Sequence, residues 1–332
     1  MTRVHVIGAA GYAAAEILRL VEGHPALELG AIESRSHAGQ AVGANVPLLR
    51  RLERTFDAPG AALAQLAAGD IAVCAGASGE ARTLVPPLLA LGARVIDLSA
   101  DLREAANASL PESGAVAVYG LTERYRAAIA SARLVANPGC YPTATLLALL
   151  PLVPFAQEIA QLVVDAKSGI TGAGRTPALG GMFAEVAGDV HAYGLAGHRH
   201  EPEIRGELDA AGITAPLIFT PHVVPIARGM LVDAYAVFRS APDASAIFAA
   251  YTRAYAGSPF VRVLPAERAP SLPAVVGTND LELHVSVKGN VVRIVAADDN
   301  LGKGAAGQAV QNINVMLGLP EESGFHDRVV VQ

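Results

Sequence analysis

Cysteine is scarce in this sequence. Among 332 residues only Cys74 and Cys140 are cysteines, so a disulfide framework is excluded. No apolar run approaches the roughly 20 residues of a membrane-spanning helix, and we therefore expect no membrane partner. The chain enters a strand pattern at residues 4–7 without a separate signal-peptide region. Together these features predict a cytoplasmic protein.

An excess of positive charge is also missing. The 25 Lys and Arg residues are outnumbered by 31 Asp and Glu residues, and the formal net charge is -6. Such a protein has no general attraction for nucleic acid, so we expect no nucleic-acid partner. With 52% hydrophobic residues, the chain is long enough to bury two cores, which favours a two-domain protein of enzyme size.

One thiol stands where a strand pattern meets a helix pattern. Residues 136–143 read Ala-Asn-Pro-Gly-Cys-Tyr-Pro-Thr. Pro138 and Gly139 end the strand, so Cys140 is predicted to begin the helix. There the unfilled N–H groups of the first turn stabilise a thiolate, and a histidine partner would lower the pKa of the thiol further. The alternative is a small buried apolar residue, which is how we interpret Cys74 in its apolar strand.

The first strand is followed by a turn of small residues. Residues 8–15 read Gly-Ala-Ala-Gly-Tyr-Ala-Ala-Ala and lead into an amphipathic helix. This is a G-x-x-G-x-x-A version of the dinucleotide turn, in which backbone amides approach the pyrophosphate at a helix N-terminus. Any tight strand-to-helix turn can need two glycines, and that is the alternative. The predicted cofactor-binding residues here are Gly8, Ala10, Gly11, Tyr12 and Ala13.

The end of the second strand bears on which dinucleotide binds. The strand at residues 27–32 runs into Glu33-Ser34-Arg35-Ser36. An acidic residue at this place holds a ribose hydroxyl in NAD sites, whereas arginine with hydroxyl donors suits a 2′-phosphate. We therefore predict NADPH/NADP+ with Ser34 and Arg35 as ligands. Glu33 weighs against that preference, and a solvated loop is the alternative.

Strand and helix patterns alternate as far as Cys140 and change after Pro151. The alternation predicts a doubly wound, Rossmann-type parallel sheet. Later, two strand patterns joined by Lys288-Gly289-Asn290 predict an antiparallel hairpin over residues 281–296. The predicted class is α/β, with residues 1–140 and 300–332 forming the dinucleotide-binding domain. Residues 141–299 are predicted to form an α+β catalytic, substrate-binding and oligomerisation domain with a mostly antiparallel sheet.

Polar residues cluster in three places in the second half. The loop at residues 168–175 is rich in glycine and suits an anion or a flexible connection. His198-Arg199-His200 precedes Glu203, and a further histidine follows at His222. Imidazole and carboxylate can bind zinc, so a metal-dependent hydrolase is an alternative. The spacing matches no metal motif, and we expect no metal.

The ordered motifs closely resemble the N-acetyl-gamma-glutamyl-phosphate reductase family over nearly the whole chain. In two places the sequence departs from the family pattern. Gly76-Ala77-Ser78-Gly79 stands where the family usually has Leu-Pro-His-Gly, and Ala14 replaces a usual glycine. The likeness rests on residues 8–12, 97–103, 119–121, 137–143, 168–175, 198–200, 220–222, 299–301 and 303–308.

The resemblance implies NADPH-dependent reduction of an acyl phosphate to a semialdehyde in arginine biosynthesis, by a homo-oligomer that is a dimer or a tetramer. It implies that Cys140 forms a thioester and that His198 is the acid/base. It adds Gly169 and Asn300 as cofactor ligands. Two alternatives stay open, an aminoadipyl-phosphate reductase of lysine biosynthesis and a non-catalytic NADP-binding protein. The candidates for substrate binding are Arg103, Ser168, Arg175, His200, Glu203 and His222.

Overall fold

Runs of valine, isoleucine and alanine alternate with amphipathic segments in the first 138 residues, and they fold as strands and helices in turn. A computed structural model of the chain describes residues 1–177 and 179–325. Contacts divide it into two units. Unit 1 comprises residues 1–138 and 305–325, and unit 2 comprises residues 139–304.

Unit 1 contains eight strands and five helices before residue 139. The strands are β1 (Thr2–Ile7), β2 (Leu27–Glu33), β3 (Ile71–Cys74), β4 (Arg94–Asp97), β5 (Ser109–Leu110), β6 (Ala115–Val116), β7 (Val118–Tyr119) and β8 (Leu134–Ala136). The helices are α1 (Tyr12–Glu22), α2 (Val42–Asn45), α3 (Ala61–Gln65), α4 (Ala81–Ala90) and α5 (Thr122–Ser131).

Six of these strands form a parallel sheet in the order β2-β1-β3-β4-β8-β7. Both faces are covered. Val4 and Val6 belong to a core that includes Ile17 of α1, while Ala72 and Cys74 belong to one that includes Val85 of α4. The predicted doubly wound sheet is therefore confirmed, and its order reverses at β1, between β2 and β3. Ligands of such sheets bind at the carboxyl ends of the strands beside this point.

Unit 2 is built on a seven-stranded mixed sheet in the order β10-β11-β9-β12-β15-β14-β13, in which most neighbours are antiparallel. The predicted hairpin is formed by β14 and β15. The strands are β9 (Ile159–Gly169), β10 (His191–Ala192), β11 (Leu217–Val224), β12 (Met230–Phe238), β13 (Val261–Val263), β14 (Leu281–Lys288) and β15 (Val291–Asp298). The helices are α6 (Cys140–Leu149), α7 (Phe183–Val186), α8 (His200–Ala210), α9 (Ala244–Ala254) and α10 (Leu272–Val275).

The helical path through Cys140–Glu158 corrects one expectation. It consists of α6 and a 3-10 helix, Leu150–Glu158, and its 19 residues are long and apolar enough, by length and composition, to cross a membrane. The sequence-based expectation of no such run did not allow for a 3-10 helix that contains Pro151 and Pro154 and follows α6 directly. Of this segment, 61% is buried inside the fold, and α6 packs on β12 and β15 of the unit 2 sheet.

A π-helical turn, Gly302–Ala306, returns the chain to unit 1, where α11 (Gly307–Leu317) is almost wholly buried. Its Asn312 side chain donates to the carbonyl of Gly120 and to Asn137 Oδ1. The unit boundaries differ slightly from the predicted ones. Residues 139, 140 and 300–304 lie in unit 2, because Cys140 begins α6 and Asn300 bonds to other residues of that unit.

Candidate functional site

Cys140 is the first residue of α6, as the proline and glycine before it predicted. The preceding Gly139 is extended, with φ -69° and ψ 158°, and supplies no side-chain cap. Its carbonyl accepts from the backbone N and the Oγ1 of Thr143, which closes the first turn. The positive end of the helix is therefore directed to the half-buried thiol, which favours its ionised form.

A glycine packs against this cysteine. A Cβ built on Gly304 would lie 2.9 Å from the Cβ of Cys140, closer than side chains approach one another. Only glycine at this position leaves the thiol in its present place. The sequence analysis did not single out Gly304 for this role, and the only signal for it is the run of small residues after Lys303.

Glu203 holds the residue before the thiol. It lies in the first turn of α8, is only 4% exposed, and accepts the backbone N–H of Gly139 at 2.9 Å with Oε1. Glu203 is one of the residues predicted to bind the substrate. Its observed contact is with the backbone that presents Cys140, which gives it a structural reason to be a buried carboxylate.

His198 lies in a cluster of rings. Its ring centroid is 5.7 Å from that of Tyr141, 5.3 Å from that of Tyr193, 4.9 Å from that of His200 and 5.7 Å from that of Phe219. Tyr141 follows Cys140 directly in the chain. The ring cluster therefore brings the predicted acid/base close to the helix turn that carries the thiol, within a single unit.

Burial, and secondarily the positive charge of Arg199, lower the pKa of His198 from its ordinary value of 6.5. The ring is therefore neutral at pH 7. Its Nδ1 accepts the backbone N–H of His200 at 3.2 Å, so the proton of the neutral ring is assigned to Nε2. His198 thus offers an N–H donor. The imidazolium partner expected for the thiolate is not its resting form, because a desolvated ring beside an arginine resists protonation.

Two tyrosine hydroxyls extend this cluster. Tyr193 Oη donates to Tyr141 Oη at 3.3 Å, and Tyr141 Oη donates to the carbonyl of His222 at 3.0 Å. Burial raises the pKa of both phenols, and the charge of Cys140 contributes to both shifts. Both tyrosines are therefore neutral donors within electrostatic reach of the thiol. The sequence analysis missed Tyr193, which lies just after the short strand β10.

Close contacts and hydrogen bonds fix the conformation of the glycine-rich loop at residues 168–175. Gly169 packs so tightly that a Cβ there would lie 2.8 Å from the carbonyl oxygen of Ala227. Asn300 accepts from Gly229 N at 2.8 Å and donates to Thr171 Oγ1 at 3.0 Å, so it joins the loop to the end of the sheet. Two substrate candidates also lie here: Ser168 is buried next to Gly169, and Arg175 is exposed.

The side chain of His222 lies on the other face of the sheet. Successive residues of a strand point to opposite faces, so His222 and Phe219, three residues apart on β11, cannot face the same way. Phe219 contacts the ring of His198, whereas His222 Nδ1 lies 3.0 Å from Asp165 Oδ1. The structure therefore does not bring the His222 ring to the Cys140 cluster, although its backbone carbonyl binds Tyr141.

The predicted dinucleotide turn in unit 1 has the shape that a pyrophosphate needs. Gly8 has φ +84°, and a Cβ on it would lie 2.6 Å from the backbone N of Gly76. Gly11 precedes α1 in extended conformation and gives the helix no side-chain cap, while a Cβ on Gly11 would meet open space. An uncapped helix N-terminus beside two glycines fits a dinucleotide. Ala10, Tyr12 and Ala13 lie in the same turn.

Glu33, the acidic residue that weighed against NADPH, lies at the end of β2. Its carboxylate is buried and accepts the backbone N–H of Ala62 in α3, so it does not lie in the surface loop. Ser34 is buried and its Oγ accepts the N–H of His37, whereas the Arg35 side chain is 82% exposed. Arg35 is therefore the exposed charged group at this strand end.

Arg103, a predicted substrate ligand, lies in unit 1, where its guanidinium donates to the carbonyl of Leu98 at 2.7 Å.

Within residues 1–177 and 179–325, no group of three or more His, Cys, Asp or Glu side chains is arranged to hold a metal ion. Of the histidines that raised the hydrolase alternative, His198 and His200 contact aromatic rings, and the ring of His222 lies beside the carboxylate of Asp165.

Comparison with protein families gives two matches that together span most of the chain. Residues 3–132 match the family model described as semialdehyde dehydrogenase, NAD binding domain. Residues 140–300 match the one described as semialdehyde dehydrogenase, dimerisation domain.

Two curated relatives and two solved structures are similar over nearly their full lengths. An N-acetyl-gamma-glutamyl-phosphate reductase of Nitrosospira multiformis is 44% identical over 97% of both chains, and one of Brevibacillus brevis is 42% identical over 98% of both. Aspartate semialdehyde dehydrogenase II of Vibrio cholerae has a TM-score of 0.74 at 17% identity, covering 96% of this chain and 98% of that chain. The Candida albicans enzyme, solved with NADP, has a TM-score of 0.66 at 14% identity, covering 96% and 99%. At these identities the two structures establish the fold alone.

Proposed function

This chain belongs to the N-acetyl-gamma-glutamyl-phosphate reductase family of semialdehyde dehydrogenases, and from that membership we propose that it reduces N-acetyl-gamma-glutamyl phosphate to N-acetylglutamate 5-semialdehyde with NADPH. The observation that carries the proposal is the position of Cys140 as the first residue of α6, in the unit that also holds the His198 ring cluster. The activity belongs to arginine biosynthesis, and we propose a cytoplasmic location for it.

The proposed reaction begins at the thiol. The Cys140 thiolate attacks the acyl carbon, a C–S bond forms, and the bond to phosphate oxygen breaks, which leaves a thioester. NADPH supplies, when bound, the hydride that reduces this thioester. The resulting tetrahedral alkoxide re-forms its C=O bond as the C–S bond breaks, so the semialdehyde leaves and the thiolate is restored. Formation of the thioester and its reduction thus replace direct hydride reduction of an acyl phosphate, and both steps suit sulfur chemistry.

We assign to the N–H at Nε2 of His198 a hydrogen bond to the negatively charged oxygen of the tetrahedral species. Its neutral ring and its Nδ1 bond to His200 make it a donor at pH 7. Tyr193 is a second neutral hydroxyl in the same ring cluster. Ser168, Arg175 and His200 of unit 2 are the proposed contacts to the substrate. An N–H donor aimed at developing negative charge is the usual source of such stabilisation.

The substrate is tested by running the reaction backwards. NADP+ reduction in the presence of inorganic phosphate is compared for N-acetylglutamate semialdehyde, aminoadipate semialdehyde and aspartate semialdehyde. The proposal requires the first to give the highest kcat/KM. A preference for the aminoadipate compound would move the chain to the lysine-biosynthesis alternative, and no turnover with any of them would favour a non-catalytic NADP-binding protein.

Arg35 provides a test of the cofactor. Arg35→Ala is expected to weaken NADPH binding by about 1.5–3 kcal/mol, the scale of a charge-assisted hydrogen bond to the 2′-phosphate, and to leave NADH binding almost unchanged. The dissociation constants of both cofactors are measured by titration of the purified variant. Equal losses for NADPH and NADH would mean that Arg35 only supports the loop.

Glu203 provides a test of how the thiol is held. Glu203→Ala removes the acceptor for Gly139 N–H, and we expect kcat to fall about 10- to 100-fold, because small displacements of a nucleophile cost that much. Glu203→Gln keeps an amide oxygen that can accept this N–H, so it should retain most of the activity. If Glu203 instead bound the substrate, both variants would raise KM and leave kcat near the wild-type value.

We also propose that unit 2 pairs with a second copy of the chain through the face of its sheet opposite α6. Val163, Ile218 and Tyr235 are lateral neighbours there, and all three are partly or largely exposed. The match to a dimerisation domain over residues 140–300 supports this pairing. Light scattering on the purified chain of 34.0 kDa distinguishes a dimer from a tetramer.

A further inference from the structure

A carboxylate forms an ion pair with Arg35, the arginine predicted to bind the 2′-phosphate. Oε1 of Glu80 lies 3.2 Å from a terminal nitrogen of Arg35, and the two side chains are 36% and 82% exposed. Arg35 lies just beyond β2, and Glu80 lies in the connection that follows β3. Both strands flank β1, so the ion pair lies at the carboxyl ends of the strands beside the switch point.

The segment that carries Glu80 is fixed by hydrogen bonds. The carboxylate of Asp101 accepts the N–H of Gly79 at 2.7 and 2.8 Å and that of Ala81 at 3.0 Å. In addition, a Cβ on Gly76 would lie 3.1 Å from Oε2 of Glu80. Gly76 of the unusual segment at residues 76–79 thus leaves room for this carboxylate, and Asp101 holds the backbone on either side of Glu80.

The side chain of Glu80 is not needed to begin α4. Glu80 is the N-cap residue of that helix, but its carboxylate makes no capping hydrogen bond. The first turn depends on its backbone carbonyl, which accepts from the N–H groups of Thr83 and Leu84. Replacing the carboxylate therefore spares the helix and removes only the charge beside Arg35.

We propose that Glu80 is a specificity-determining residue that weakens the preference of this chain for NADPH over NADH. This inference rests on the proposed NADPH site at Arg35. A 2′-phosphate that binds Arg35 must displace Glu80 from the guanidinium and then lie near a charge of its own sign. NADH has no phosphate at this position and meets neither obstacle. The carboxylate thus opposes the arginine in the choice of cofactor.

The test measures dissociation constants of NADPH and NADH by calorimetry, with the full-length chain. Glu80→Gln should tighten NADPH binding about three- to fivefold, the scale of one exposed charge interaction, and change NADH binding by less than about twofold. Glu80→Ala should give the same direction. The gain should vanish when Arg35→Ala is also present, because the competition requires the arginine. Glu112→Gln, which removes an exposed charge in a separate 3-10 helix of unit 1, should change neither constant.

The outcomes separate this inference from the function on which it rests. If the wild-type chain binds NADPH but Glu80→Gln leaves the constant unchanged or weakens it, the role of Glu80 is refuted and the proposed function stands. A gain that persists with Arg35→Ala would also refute it, because the effect would then be general electrostatics. If the wild-type chain binds no NADPH, the proposed function and the inference both fail.

Discussion

Cys140→Ala is expected to reduce turnover by at least about 10⁴-fold, while NADPH binding stays within a few-fold of the wild-type value. The reason is that the thioester route has no other nucleophile. Cys74 is buried in unit 1, and burial, with the charges of Asp97 and Glu33, raises the pKa of its thiol. The proposed cofactor ligands Gly8 and Arg35 lie in unit 1 and are unaffected. Steady-state rates and cofactor titration on the same preparation test both statements.

Alkylation is an independent test of the reactivity of Cys140. Iodoacetamide should label Cys140 far faster than Cys74, because one thiol is half-buried at a helix start and the other is a core residue. Peptide mapping after brief exposure gives the ratio. Substantial reductase activity in Cys140→Ala, or preferential labelling of Cys74, would reject covalent catalysis by Cys140.

His198→Asn is expected to lower kcat by about 10²–10⁴-fold, the usual contribution of a positioned catalytic group. Asparagine is shorter and does not place an N–H donor where Nε2 of the ring places one for the tetrahedral oxygen. His200→Asn is the matched comparison, because it keeps the backbone N–H that His198 Nδ1 accepts. That variant should act mainly on KM, as expected of a substrate contact. Rapid-quench measurement of a single turnover separates the chemical step from product release.

Chelation distinguishes this assignment from the metal-dependent alternative. Prolonged treatment with a chelator should leave the wild-type rate unchanged, because thiol and hydride chemistry requires no metal ion. Loss of activity that zinc restores would reassign His198 and His200 as metal ligands. Loss of kcat in His200→Asn at saturating substrate would show that the two roles were exchanged or shared.

Local signals were sufficient for much of the fold and for the position of Cys140 at the start of a helix. Pro138 and Gly139 fix where the strand ends, and α6 begins at the next residue, Cys140. The alternation of strand and helix patterns likewise predicted the parallel sheet of unit 1, because apolar residues recur at different spacings in strands and in helices. The same reasoning was available for His222 and Phe219, whose odd spacing on β11 already separates their faces.

Contacts between distant parts of the chain were not predictable. Glu203 binds Gly139 across 64 positions, and Arg35 pairs with Glu80 across 45. No periodicity or turn signal links such residues, because tertiary packing alone brings them together. Glu33 shows the same limit. Its position at the end of β2 suggested a ribose ligand, but packing of α3 against that strand gives its carboxylate a backbone partner instead.

The central claim is the thioester on Cys140, and the most direct measurement is its capture in the absence of NADPH. The enzyme is mixed with N-acetyl-gamma-glutamyl phosphate, quenched in acid and digested. The mass of the peptide that contains Cys140 is then measured by mass spectrometry. We expect that peptide to gain one N-acetylglutamyl group, with one equivalent of phosphate released per active site and no adduct in Cys140→Ala. An unmodified peptide, with phosphate released only when NADPH is present, would contradict the account.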